Sequence, residues 1–191
     1  MLDGNGTRSI LYNRRRILRS ALGTSQALIP SGGAVGRNYK GNPYPFRASS
    51  HFIFLAGKPV CDAYFLSCPN GDKLFVAPQE SSDIVWHGHQ ATLESLASDL
   101  SIPVLPLDQL PQALRDDCLT LMSDHLYTRM QQHKLLSRKT STHDPKLAQA
   151  MVETRICQDE LALGTTTGDH SACGFDACKS AEFHEAWDDG K

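Results

Sequence analysis

The chain has 191 residues, of which 40% are hydrophobic and 21% charged, with 14 glycines and six cysteines. That profile is ordinary for a globular protein and excludes a disordered, collagen-like or disulfide-dependent miniature fold. The formal net charge of −2 hides a split: residues 1–60 carry seven Arg and two Lys against Asp3 alone, a net +8, and the other 131 residues carry −10.

In chain order, residues 12–22 place Ile17, Leu18, Ala21 and Leu22 at helical spacing, with arginines expected on the opposite side and Gly23 as the stop. Residues 27–29 form a short apolar run ended by Pro30, which predicts a buried strand. Residues 31–45, rich in Gly and Pro, read as a loop; no Gly-Lys-Ser/Thr follows Gly32, Gly33 or Gly36, so it is not a phosphate loop. The runs 63–66 and 73–76 flank Pro69-Asn70-Gly71-Asp72, and Asn70-Gly71 predicts a β-hairpin.

Residues 90–100 predict a helix with Leu93, Leu96, Ala97 and Leu100 on one face, and residues 103–107 a short strand between prolines. A helical turn is expected over 110–115, and 118–122 fits strand or helix. Ser123 is the expected cap of a helix over 124–136, with Leu126, Met130 and Leu135 or Leu136 inward. After a polar linker, Pro145 opens a helix running to Leu163 with Leu147, Met151, Val152 and Ile156 apolar. Alternating short strands and helices plus one hairpin predict an α/β fold with a mixed sheet flanked by helices.

No side-chain set makes an obvious reaction centre. His87-x-His89 offers two imidazoles, but residues two apart on a strand point to opposite sides, and exposed loop histidines are the better reading. His170, Cys173, Cys178 and His184 raise a small zinc protein as an alternative, although their spacing is loose for a structural site and an ordinary C-terminal segment is preferred. No Gly-x-Ser-x-Gly elbow is present. The basic N-terminal part lacks an aromatic-interleaved nucleic-acid pattern, so no nucleic-acid partner is expected. No secretory signal and no bilayer-length apolar run is visible, which predicts a cytoplasmic protein with reduced cysteines and no membrane partner.

One stretch goes further. Residues 44–57, Tyr-Pro-Phe-Arg-Ala-Ser-Ser-His-Phe-Ile-Phe-Leu-Ala-Gly, resemble the Phe-Arg-x-x-Ser-x-Phe-x-aromatic-Leu-x-Gly signature of the creatinase-type N-terminal domain of Xaa-Pro aminopeptidases and prolidases. Its positions here are Phe46, Arg47, Ser50, Phe52, Leu55 and Gly57. Arg14-Arg15-Arg16-Ile17 resembles that family's first-helix double arginine, residues 74–78 its second hairpin strand, and Asp83 to Gly88 its acidic-x-x-Trp-x-Gly segment. Ala48-Ser49 departs from the usual Gln-Asp or Gln-Asn, and Phe54 lacks the hydroxyl commonly found there.

The resemblance implies a ribonuclease-H-like layered domain over 1–136, a linker and connecting helix over 137–163, and the start of a pita-bread catalytic domain over 164–191. It implies that this N-terminal part caps the catalytic domain, builds homo-oligomers and lends Trp86 to the rim of a neighbouring active site. Arg47 and Ser50 are then structural supports. The family hydrolyses the bond before proline with two divalent metal ions, usually manganese, whose ligands lie beyond Lys191. No catalytic or metal-ligating residue and no cofactor is therefore assigned within this chain, which alone is expected to be inert. A proline-containing peptide becomes a partner only with the catalytic domain. The competing reading is a free-standing binding or assembly module with the same fold.

Overall fold

The structure is a computed structural model that describes residues 4–39, 41–78, 88, 91–136 and 144–163. Helix α1 (Gly4–Leu22) precedes strand β1 (Ala27–Pro30), helix α2 (Ser50–Ala56) and the hairpin β2 (Ala63–Cys68) and β3 (Gly71–Val76). Then come helix α3 (Leu93–Leu100), strand β4 (Val104–Pro106), a 3-10 turn (Leu107–Gln109) leading into the short helix α4 (Leu110–Ala113), and strand β5 (Leu119–Thr120). Helices α5 (Leu126–Leu135) and α6 (Pro145–Leu163) complete the described chain.

The strands make one mixed five-stranded sheet in the order β4-β3-β2-β1-β5. The β1–β2 and β2–β3 pairs are antiparallel; β3–β4 and β1–β5 are parallel. Side chains alternate strictly between its faces. Ala27, Ile29, Ala63, Phe65, Leu74 and Val76 pack against α1, α2, α3 and α6. Leu28, Tyr64, Leu66 and Phe75 face the other way, onto Leu110, Cys118 and half-buried leucines including Leu135 and Leu136. The period of two thus explains why both phases of β2 are apolar: each phase has its own core.

Several expectations are corrected. Helix α1 begins eight residues earlier than the apolar spacing suggested, and buried Leu11 adds a position to its packed stripe, against Gly57. Its arginines do not all lie opposite that stripe, since Arg15 is only 3% exposed, between buried Leu11 and Leu18. The hairpin pairs Cys68 with Gly71, so its two-residue loop is Pro69-Asn70 rather than Asn70-Gly71. Pro69 presets the first turn position, and the left-handed-side φ of +131° falls on Gly71 instead. Helix α3 starts at Leu93, where Thr92 caps by accepting from the Ser95 N–H at 3.2 Å. The ambiguous segment after Cys118 resolves as strand, because Leu119 and Thr120 pair with Ala27 and Leu28.

The two C-terminal helices are rotated from expectation. In α5 the buried positions are Thr128 and Gln132, while Leu126 and Met130 are 68% and 60% exposed. Ser123 is not the helix cap; its Oγ accepts from the His125 N–H, and His125 stands at the N-cap position. In α6 Leu147, Ala150, Met151 and Thr154 turn inward, leaving Val152 and Ile156 on the solvent side. Buried Thr154 satisfies its hydroxyl on the Ala150 carbonyl at 2.6 Å, one turn back.

Candidate functional site

The signature segment folds around helix α2. Ser49, not Ser50, carries the local support: its Oγ donates to the Pro30 carbonyl at 2.9 Å and accepts from the Phe52 N–H at 3.3 Å. Ser50 is exposed in the first turn. Phe52 and Leu55 are fully buried, each contributing about 1.5–3 kcal/mol of apolar transfer. The helix ends at Gly57 with φ +82°, where an added Cβ would also lie 2.6 Å from Leu11 Cδ1. Conformation and close approach both require glycine there.

Arg47 is exposed on the surface. The arginine buried among these helices is Arg15. Its Nε donates to the Leu55 carbonyl at 2.8 Å, Nη2 to Ala56 at 3.5 Å, and Nη1 to Leu100 at 2.7 Å. One guanidinium therefore satisfies the carbonyl ends of both α2 and α3, where the helix dipoles are negative. Burial lowers the Arg15 pKa from the ordinary arginine value, opposed by Asp72 and reinforced by Arg19. Asp72 itself is buried, ion-paired with Arg19 and hydrogen-bonded by Ser67 Oγ at 2.9 Å. Burial raises its pKa while the two partners pull the other way. The signal for Arg15 was present in the sequence: it falls on the Leu11–Leu18–Leu22 ladder, four residues after Leu11.

Phe54 joins three helices. Arg14 of α1 lies over its ring at 4.3 Å and Arg155 of α6 at 4.8 Å, and Arg14 Nη1 also donates to the Phe54 carbonyl at 3.2 Å. This ring is an anchor for two cations. Lys146 fixes the other end of α6, donating to the Leu22 carbonyl at 3.2 Å and Ser25 Oγ at 2.7 Å. Helix α6 consequently runs antiparallel to α1, and the chain leaves α6 beside the N-terminal end of α1.

A polar layer holds α5 to the sheet. Gln132 accepts from the Ser123 N–H at 2.9 Å and donates to Thr120 Oγ1 at 2.8 Å and the Leu121 carbonyl at 3.0 Å. Asp144 accepts from the Thr120 N–H at 2.6 Å. With these groups satisfied inside, Leu126, Tyr127 and Met130 form an outward apolar ridge. Nearby, Gly33 passes so closely that an added Cβ would lie 2.6 Å from His125 Cε1 and 2.8 Å from Asp62 Oδ1.

None of this is a reaction centre. Phe46 is half-buried and lines a cavity of about 630 Å3 together with Val60, Cys61, Val76, Leu93 and Leu96, an apolar set without an acid–base pair. Among the described residues, no three His, Cys, Asp or Glu side chains converge on a possible metal position. No helix among them is long and apolar enough to cross a membrane. Trp86, His87, His89, His170, Cys173, Cys178 and His184 lie outside the described residues.

Comparison with known proteins agrees with this architecture. Escherichia coli aminopeptidase P in its low-pH form superposes with a TM-score of 0.57 at 20% identity, covering 68% of this chain and 32% of that one. Pseudomonas aeruginosa aminopeptidase P gives 0.58 at 18% identity, with the same coverages of 68% and 32%. Proline aminopeptidase P II from Yersinia pestis gives 0.55 at 20% identity, covering 71% of this chain and 36% of its own. The chain thus spans about a third of the length of these structures. No curated protein sequence matches it. The sequence profile of the aminopeptidase P N-terminal domain matches residues 11–127, more than half the chain and every strand of the sheet, and the chain belongs to that family.

Proposed function

We propose that this chain is the non-catalytic N-terminal portion of an Xaa-Pro aminopeptidase-like metallopeptidase, serving to cap a catalytic domain and to build the oligomer. In that reading 1–136 is the capping domain, 137–163 the linker and connecting helix, and 164–191 the entry to the catalytic domain. Trp86 then stands at the rim of a neighbouring active site. The proline-containing substrate and the two divalent metal ions, usually manganese, belong to the remainder of the enzyme. The described residues of this chain do not suit such a centre, and no step of hydrolysis is assigned to them.

The observation that carries the reading is the inverted helix α5. A helix that buries Thr128 and Gln132 while exposing Leu126, Tyr127 and Met130 turns an apolar side away from the described residues, toward another surface. A free-standing assembly module is the second reading, favoured by a sheet whose two faces are both covered within this chain. Sedimentation velocity of the full chain, beside L126S/Y127S/M130S, tests the capping and assembly role. Self-association that the triple substitution abolishes is expected. A wild-type chain that stays monomeric at about 100 μM, with no change in the variant, overturns the oligomer role. Activity on an Xaa-Pro peptide with added manganese would overturn the non-catalytic assignment.

A further inference from the structure

Independent of that reading, one cleft has no role in it. On α1, Arg8, Tyr12, Arg15 and Arg19 follow one another at helical spacing along one side of a cavity of about 490 Å3, which Asp72 and Lys73 of β3 also line. Four cations therefore border it against one acid. Asp72 is consumed, since Arg19 pairs with it and Ser67 Oγ donates to it at 2.9 Å. Arg15 is spent on the carbonyls of Leu55, Ala56 and Leu100. Asp99, which feels the charge of Arg8, is paired with Lys58. Arg8 and Lys73 remain, both exposed, and the ion pairs among the described residues use neither. One turn along from Arg8, Tyr12 is 60% exposed. Ser101 borders the same cavity and holds a left-handed backbone, φ +53°, at the end of α3, where glycine is the usual residue.

We propose that this cleft binds a small phosphomonoester of the mononucleotide class, its phosphate on Arg8 and Lys73 and its ring on Tyr12. Charge and size select that class. A phosphomonoester carries a charge of about −1.5 to −2 at neutral pH, which answers the two unspent cations; a single carboxylate would leave one of them unanswered. The guanidinium fork of Arg8 suits phosphate oxygens, and the Lys73 ammonium adds a point charge. The cavity of about 490 Å3 falls in the range of roughly 300–1,000 Å3 of small-molecule sites. A bare phosphate fills little of that space, whereas a planar ring stacked on an exposed tyrosine uses it.

Titration calorimetry of the full chain with adenosine monophosphate, beside adenosine and inorganic phosphate, tests this. The nucleotide is expected to bind one to one with Kd below about 1 mM, and each fragment at least about tenfold more weakly. Arg8→Gln and Lys73→Gln should each weaken the nucleotide by about tenfold, the loss of one charge-assisted contact. Tyr12→Leu should weaken it by about fivefold and leave inorganic phosphate unchanged. All three positions are exposed, so an unchanged thermal midpoint verifies the fold. Arg16→Gln, exposed on the same helix but outside the cavity, should bind as the wild type does. No binding at about 5 mM nucleotide, adenosine bound as tightly as the nucleotide, or an equal loss in Arg16→Gln each overturns the proposal. A single-stranded oligonucleotide bound more than about a hundredfold tighter than the mononucleotide also overturns it, by making this wall part of a nucleic-acid track.

Discussion

Arg15 reaches across 85 residues of sequence to close the end of a helix, its Nη1 donating to the Leu100 carbonyl at 2.7 Å. The same side chain closes α2 at Leu55, so two of the four helices on that face of the sheet, α2 and α3, share a single cap supplied by the N-terminal helix. A buried cation is tolerated here because its donors meet carbonyls that the helix geometry leaves open.

Arg15→Met keeps the volume but strands the carbonyls of Leu55, Ala56 and Leu100. A loss of about 3 kcal/mol is expected, a drop of roughly 10 °C in Tm. Arg15→Lys should fall between, since an ammonium lacks the planar fork. Exposed Arg16→Met should stay within about 0.5 kcal/mol. Thermal melts of the three variants decide it, and equal effects at positions 15 and 16 would refute the shared cap.

The ring of Phe54 anchors α6 through two guanidiniums. Phe54→Leu retains apolar bulk but loses both cation–π contacts, about 0.5–2 kcal/mol each. Hydrogen exchange should accelerate in α6 while the β2 amides keep their protection. Phe54→Tyr should preserve the wild-type pattern. Uniform acceleration over the whole domain in the leucine variant would mean that the ring is only core filler.

The sheet and its hairpin were legible because short apolar runs bounded by turn residues, at 27–29, 63–66 and 73–76, are what strands covered on both faces require. The signature from Phe46 to Gly57 was legible as a resemblance, and Phe52, Leu55 and Gly57 hold structural positions in it. What escaped was polar burial. Arg15 and Gln132 sit inside because partners in other elements satisfy them, Thr128 because its hydroxyl meets the His125 ring, and Thr154 because it bonds a carbonyl one turn back; apolar periodicity carries no record of those partners. The rotation of α5 follows: Leu126 and Met130 yield the interior to Gln132, whose three hydrogen bonds depend on Thr120, Leu121 and Ser123.

That rotation predicts an inverted response to substitution. Gln132→Leu makes α5 more apolar, yet it leaves the Ser123 N–H and Thr120 hydroxyl without their Gln132 contacts, and a loss of about 2 kcal/mol is expected. Leu126→Gln and Met130→Gln, at exposed positions, should change monomer stability by less than about 0.5 kcal/mol. Denaturant titrations at a concentration low enough to avoid association compare them. A stabilised Gln132→Leu beside destabilised Leu126→Gln and Met130→Gln would restore the ordinary amphipathic orientation.

Cys61 gives a pH-dependent test of the turn before β2. Burial pushes its thiol up to about 11, assisted by the Asp62 charge and by the Cys61 Sγ–Asp62 Oδ2 contact at 3.4 Å. Asp62 holds that place with φ +50°, a conformation that Asn also accepts. An unperturbed thiol titrates near about 8.5, so at pH 8 the Cys61 thiolate should be roughly two hundredfold scarcer than an ordinary one. Between about 8.5 and 11 the folded chain keeps a proton that the unfolded chain releases. The contribution of this thiol to stability is therefore present below that window and declines as pH rises through it. Iodoacetamide labelling of each cysteine, followed by mass spectrometry from pH 7 to 11, should place the Cys61 midpoint at the top of the range. Asp62→Asn should move it downward without restoring the unperturbed value, because burial remains the larger cause. A wild-type midpoint near 8.5, or one that Asp62→Asn leaves in place, would show that the Cys61 thiol is neither shielded nor opposed by its neighbour.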